Sequence, residues 1–150
     1  MVVVARLPQL LRGNSMFEKY SAYLDGDFSV DYWSDEGIGY ATTFLEKFTD
    51  SDWASLKDII QHKPVSWLIR CAETLDDVGG ISSFDVLLEL ISVENDEVKI
   101  SALDSVNSRL SLGFALGESA GRIRSAIKVA RSSAGIAASM VLDSLESRLG

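Results

Sequence analysis

Two stretches decide the fold of this chain: 53-WASLKDIIQHKPVSWLIRCAETL-75 and 84-FDVLLELISVENDEVKISALDSV-106. When the first is superimposed on the second, a shift of 31 residues, their apolar positions coincide. The coinciding pairs are Trp53/Phe84, Leu56/Leu87, Ile59/Leu90, Ile60/Ile91, Trp67/Val98, Cys71/Ala102, Ala72/Leu103 and Leu75/Val106. Repeats of about 20 to 50 residues are typical of units that must stack to bury their apolar faces. The repeat therefore predicts stacked helical units.

Each of the two stretches has the pattern of a helical hairpin. In the first, apolar residues recur at helical spacing after capping residues at 50–52, and a second stripe follows Pro64, which the first turn of a helix tolerates. In the second, Ser82 or Ser83 is the predicted cap of a helix at 84–93. Both patterns predict two helices per unit, and no strand signal is present.

The repeat continues toward the C terminus, where 141-VLDSLESRL-149 echoes 102-ALDSVNSRL-110. A chain of 150 residues, 47% of them hydrophobic, has room for one core of stacked hairpins. We therefore predict a single all-α helical-repeat domain over 16–150. The predicted repeat units are about 50–78, 82–111 and 117–149.

The segment before the repeats is less regular. Residues 16–24 have the pattern of a short helix, and 25-DGD-27 is a turn signature. A second helix is predicted over 32–48, although Gly37 and Gly39 weaken its first half.

Residues 1–15 are predicted to be an N-terminal extension. They make a poor signal peptide, because Arg6 and Pro8 interrupt their apolar run. No apolar run approaches the roughly 18–20 residues that span a bilayer. The single cysteine, Cys71, excludes an internal disulfide framework and points to a reducing compartment.

Charge is unevenly distributed along the chain. The net charge of −8 divides into +2 over residues 1–15, −12 over 16–112 and +2 over 113–150. A negative field over the middle of the chain disfavours nucleic acid and anionic membranes as partners. It favours a basic partner, unless it serves solubility alone.

One segment matches an enzymatic motif. The stretch 117-GESAG-121 has the spacing of the nucleophile elbow of serine hydrolases, which needs a preceding strand and a downstream histidine. The single histidine, His62, lies upstream, so we expect Ser119 to cap the helix that follows it. His62 and Cys71 are also too few soft ligands for a zinc site. We predict no catalytic residue, no metal and no cofactor.

The predicted helix at 122–132 has a basic face. Arg124, Lys128 and Arg131 share one side of it and could contact phosphate. Because the rest of the chain would repel phosphate, we expect an exposed face that pairs with acidic groups beside it.

The best candidate for a binding site is the acidic, aromatic segment that precedes the repeats. Its candidate partner-binding residues are Asp25, Asp27, Asp31, Tyr32, Trp33, Asp35 and Glu36. Aromatic anchors supply packing area at a protein interface, and charges of one sign steer and orient the partner. An alternative stays open, in which Tyr32 and Trp33 cover the open end of the helical stack.

The second repeat unit resembles the HEAT repeat. The apolar helix 84-FDVLLELI-91 is followed by an Asn-Asp turn at 95–96, and 98-VKISAL-103 then supplies a valine, a basic residue and Ala-Leu. This resemblance implies a HEAT-like stack of helical hairpins and says little about function. We expect the following side chains to be buried between neighbouring helices: Trp53, Trp67, Leu87, Val98 and Leu103.

A further set of motifs lies within residues 16–75. They are 16-MFEKY-20, 31-DYWS-34, 44-FLEKF-48, 52-DW-53, Trp67 and 72-AETL-75. This stretch looks like the small helical immunity proteins of bacterial contact-dependent growth inhibition and related polymorphic toxin systems. The resemblance implies a cytoplasmic protein that binds and neutralises a cognate toxin domain, often a nuclease. The alternative functions are a HEAT-like adaptor that binds a protein or peptide and, third, a serine hydrolase built on Ser119.

Overall fold

The computed structural model describes residues 15–76 and 78–150, and their regular structure is helical with no strand among them, which confirms the all-α prediction. The predicted extension lies outside these residues, except for Ser15. None of the described helices is long and apolar enough to cross a membrane. The helices are α1 (Met16–Leu24), α2 (30–45, with a π-helical turn at Trp33–Gly37 between Val30–Tyr32 and Ile38–Leu45), α3 (Asp50–Ile59), α4 (Val65–Thr74), α5 (Ile81–Leu90), α6 (Asp96–Ser111), α7 (Ala120–Arg131) and α8 (Ile136–Leu149), with 3-10 turns at Ile60–His62 and Gly117–Ser119.

Local capping interactions determine where the repeat helices begin. At α3, the Thr49 hydroxyl accepts from the Asp52 amide at 3.2 Å, and the Asp52 carboxylate accepts from the Thr49 amide at 2.9 Å. The cap of α3 therefore lies one residue before the predicted segment 50–52. Asn95 caps α6 by accepting from the Val98 amide at 3.1 Å.

The predicted serine cap of α5 is wrong. The N-cap is Gly80, whose φ of 102° favours glycine, so Ser82 and Ser83 lie inside the helix. The buried Ser83 hydroxyl donates to the Val78 carbonyl at 2.7 Å and accepts from Nη1 of Arg109 at 2.9 Å. The Ser83 hydroxyl thus links α5 to α6 instead of accepting from a free backbone amide in the first turn of α5.

The helices pack in two rows. In one row α2, α4, α6 and α8 contact one another in that order, and in the other α1, α3 and α5 do so. Helix α7 packs against α6 and α8. Within hairpins, α1 contacts α2, α5 contacts α6 and α7 contacts α8. The core therefore lies where the two rows meet.

The superimposed repeat positions supply much of this core. In six of the eight pairs both side chains are buried, and the four residues Trp67, Leu87, Val98 and Leu103 are buried as predicted. Trp53 is a correction, because it is only half-buried. Its ring packs edge-on against Phe48, with centroids 4.8 Å apart, but the neighbouring α5 residues, Ser82 and Asp85, are polar and leave the indole partly in water.

Two basic residues of α7, Arg124 and Arg131, contact the C-terminal end of the chain. Arg131 contacts Asp143 and Glu146 of α8, each with an N–O distance of 2.9 Å. Arg124 donates to the Leu149 carbonyl at 2.9 Å. Charge pairing on this face was predicted, and the carboxylates that supply it come from the adjacent helix.

Candidate functional site

The predicted site lies around the turn that joins α1 to α2. Asp25-Gly26-Asp27 follows α1, and Ser29 caps α2 by accepting from the Tyr32 amide at 3.1 Å. A side chain on Gly26 would place its Cβ against the Phe28 ring, closer than a Cβ can approach. Glycine at this position therefore lets the Phe28 ring fold back over the turn.

The π-helical turn of α2 accommodates the indole of Trp33. Such turns are rare and occur mostly as single turns inside α-helices. A Cβ on Gly37 would lie 2.5 Å from Cε3 of Trp33. Gly37, which the sequence predicted only to weaken the helix, thus leaves the space that the ring occupies.

Trp33 is part of the core and is 6% exposed. Its Nε1 donates to the carboxylate of Glu73 on α4 at 2.9 Å. The guanidinium of Arg70, one turn earlier on α4, lies 5.2 Å from the indole centroid and donates to the carbonyls of Leu24 at 2.9 Å and Gly26 at 2.7 Å. Burial favours the interpretation in which Trp33 covers the end of the core, because little of its surface remains for a partner.

Three residues of this region were not among the site residues predicted from the sequence. Arg70 and Glu73 bind Trp33 from α4, and their only signal was a charge beside the apolar stripe of that helix. Tyr40 packs on Tyr23, with ring centroids 4.8 Å apart, and a spacing of two helical turns from Tyr32 could have identified it.

Two exposed tyrosines and one half-buried tyrosine form the outer part of the site. The hydroxyls of Tyr23 and Tyr32 are hydrogen-bonded at 2.9 Å, and Tyr32 and Tyr40 are 37% and 53% exposed. Burial, and then the hydrogen bond to Tyr32, raise the pKa of Tyr23, so its phenol stays protonated at neutral pH. Exposed tyrosines of this kind are typical anchors of protein interfaces.

The five predicted carboxylates are all exposed on the same hairpin. They are Asp25, Asp27, Asp31, Asp35 and Glu36. Glu36 lies four residues from both Tyr32 and Tyr40 along α2, and Asp25 lies 3.8 Å from the ammonium group of Lys63. Residues 20–46 contain no lysine or arginine. We call the three tyrosines and five carboxylates the acidic aromatic face.

The chemistry of the acidic aromatic face suits basic side chains of another protein. Arginine and lysine bind the faces of aromatic rings, and they form charge-assisted hydrogen bonds with carboxylates. Both kinds of group are exposed here on one hairpin. The arrangement can therefore bind a basic protein surface without any covalent step.

The residues that were weighed for catalysis lie elsewhere. Ser119 ends the 3-10 turn Gly117–Ser119, which follows an irregular segment at 114–116 and not the strand of a nucleophile elbow. Ser119 occupies the N-cap position of α7, as predicted, but its hydroxyl makes no capping bond to that helix. Burial raises the pKa of the Cys71 thiol to about 12, which keeps it protonated. Within 15–76 and 78–150, no three His, Cys, Asp or Glu residues are grouped closely enough to hold a metal.

Comparisons with known proteins find no relative of this chain. No family model matches it, and neither a curated protein nor a solved structure is significantly similar to it.

Proposed function

We propose that this protein is an immunity protein that binds and neutralises a cognate toxin domain with a basic surface. The acidic aromatic face carries the proposal, because it exposes tyrosines and five carboxylates on one hairpin. The net charge of −12 over residues 16–112 supports it. Inhibition by binding requires no catalytic residue, metal or cofactor of this chain.

A nuclease toxin is the partner that this chemistry fits best. A nuclease needs a basic surface to bind phosphate, and an acidic protein can occupy that surface. Complementary charge also speeds the encounter and orients the two proteins. The same negative field repels nucleic acids and anionic membranes, so neither is a proposed partner. The location proposed together with this function is the cytoplasm.

We also propose that the hairpins form a HEAT-like stack. The order of contacts along the two rows supports this arrangement. So does the shared burial of positions such as Leu56 and Leu87 in successive units. In such a stack each hairpin buries its apolar faces against its neighbours.

The gene immediately upstream provides the test. It should encode a protein whose C-terminal domain is toxic, and co-expression of this chain should restore the growth of cells that express that domain. The two purified proteins should form a stoichiometric complex. Toxicity that this chain leaves unchanged would contradict the proposal, as would neighbouring genes unrelated to toxin delivery.

The row formed by α2, α4, α6 and α8 favours a second candidate, a HEAT-like adaptor that binds peptides of other proteins. A pull-down from the source cells separates the two functions. An immunity protein should return one dominant toxin partner, whereas an adaptor should return several weakly bound proteins.

A further inference from the structure

An open groove runs along the row formed by α2, α4, α6 and α8. One hollow, of about 300 Å³, lies between α2 and α4, and another, of about 400 Å³, lies among α4, α6 and α8. Ile69 lines both hollows, so they are adjacent parts of one surface. We call the two hollows together the α4–α6 groove.

The floor of the α4–α6 groove is apolar. Ile69, Ile100 and Val141 line the second hollow and are only half-buried in the folded chain. On α8 the neighbouring residues are Ala137 and Ala138, whose small side chains leave the hollow open. Branched apolar side chains are therefore available to a partner without any rearrangement of the core.

Carboxylates line the same groove. Glu97 and Asp104 of α6 border the second hollow, and Glu73 of α4 borders the first. The carboxyl group of Asp104 lies in a partly desolvated environment close to the negative charge of Asp76. Burial, and then Asp76, raise its pKa. A cation brought close to Asp104 would relieve this repulsion.

The described residues that line the second hollow include no basic side chain. In the first hollow Arg70 is basic, but its guanidinium already donates to two carbonyls and lies 5.1 Å and 5.2 Å from the ring centroids of Phe28 and Trp33. Among the described lining residues, no free cation therefore bridges the apolar floor and the carboxylates of the second hollow.

We propose that the α4–α6 groove docks a short basic amphipathic segment of a partner protein. Apolar side chains of that segment contact Ile69, Ile100 and Val141, and its lysine or arginine side chains contact Glu97 and Asp104. Such a segment combines apolar burial with charge complementarity, which is how amphipathic segments bind grooves in other proteins. The proposal holds whether or not the partner is a toxin.

The test uses the full chain and a fluorescein-labelled amphipathic Leu/Lys peptide as the probe, with fluorescence anisotropy at physiological salt as the readout. Ile100→Gln should weaken binding roughly tenfold, because one apolar contact is lost. The double variant Glu97→Gln/Asp104→Asn should also weaken it several-fold. The matched controls are Ile136→Gln, at an 86% exposed position outside the groove, and Glu46→Gln/Asp58→Asn, and both should leave the affinity within twofold.

A second peptide tests whether apolar contacts are needed, and a map of the binding site tests whether the peptide binds in the groove. A Gly/Lys peptide of equal charge should bind much more weakly, and NMR amide shifts on adding the Leu/Lys peptide should concentrate at the groove residues of α4, α6 and α8. Thermal melts of each variant separate lost binding from lost folding. Equal binding of the two peptides, unchanged affinity in both groove variants, or shifts centred on the residues of the acidic aromatic face would each overturn the proposal.

Discussion

At the scale of single residues, the acidic aromatic face depends on one glycine and one arginine. Gly37 leaves room for the Trp33 indole, and Arg70 fastens the preceding turn through the carbonyls of Leu24 and Gly26. Because these contacts hold the beginning of α2, they also determine where the exposed carboxylates and tyrosines point.

Gly37→Ala should destabilise the fold although alanine is the better helix former. Its Cβ would lie 2.5 Å from Trp33, and the displaced ring should cost more than the gain of about 1 kcal/mol from helix propensity. Gly39→Ala is the matched control, because its Cβ would have no neighbouring atom within 4 Å, and it should stabilise by up to about 1 kcal/mol. Urea denaturation measures both, and equal effects would contradict the packing argument.

Asp104 should make stability depend on pH. A carboxyl group whose pKa is higher in the folded chain than in the unfolded chain opposes folding once it is ionised, and Asp104 has such a raised pKa. Asp104→Asn should therefore raise the free energy of unfolding at neutral pH, and the gain should shrink as the pH falls toward about 4. Asp58→Asn, on α3 and outside the α4–α6 groove, is the control; a gain of the same size in both variants would contradict this.

At the scale of elements, α6 is the central helix. It contacts α4 and α8 in its own row, and it also packs against α5 and α7. Its buried positions include Val98, Ala102, Leu103 and Val106. Loss of packing on α6 should therefore destabilise the neighbouring hairpins on both sides.

Leu103→Ala should cost about 2–5 kcal/mol of unfolding free energy, since it removes a fully buried side chain from this helix. Leu112→Ala, just after α6 and 72% exposed, should cost far less. Chemical denaturation of the two variants provides the measurement. A loss below about 1 kcal/mol for Leu103→Ala would mean that the register of the repeat is wrong.

At the scale of the whole molecule, the uneven distribution of charge is the property that bears on function. The −12 over residues 16–112 contrasts with +2 over 113–150, where Arg131 is paired with Asp143 and Glu146. This distribution would attract the proposed basic partner to the N-terminal and central hairpins, where the acidic aromatic face lies.

Neutralising that face should slow association with the proposed toxin partner and leave the fold intact. Changing the five carboxylates of the face to Asn or Gln should lower the association rate about tenfold or more at low salt. The difference should shrink as the Debye length falls from about 10 Å at 0.1 M to about 3 Å at 1 M salt. Stopped-flow kinetics at two salt concentrations, beside a thermal melt, measure both effects.

The control for this experiment removes the same number of charges elsewhere. The exposed residues Glu46, Asp50, Asp58, Glu94 and Glu118 serve this purpose. Equal slowing in both variants would mean that net charge alone steers the partner. An association rate insensitive to the five neutralisations of the face would exclude it as the steering surface, whereas the α4–α6 groove would still be testable with the peptide.

The sequence by itself determined the helices and the positions that are buried within the repeat. Spacing alone assigned Leu87 and Leu103 to the core, and both are fully buried. The exposed carboxylates of the α1–α2 hairpin were equally readable. These features are local, because helical periodicity, caps and charged side chains act through residues only a few positions apart.

Only the tertiary structure decided the surroundings of Trp33, the half-burial of Trp53 and the existence of the α4–α6 groove. Trp33 donates to Glu73, 40 residues away in sequence, and the groove combines side chains from α4, α6 and α8. Whether an aromatic ring covers a core or faces a partner depends on which side chains the neighbouring helices bring to it. Helical spacing within one segment carries no information about that pairing, because it is set by packing between segments that are distant in sequence.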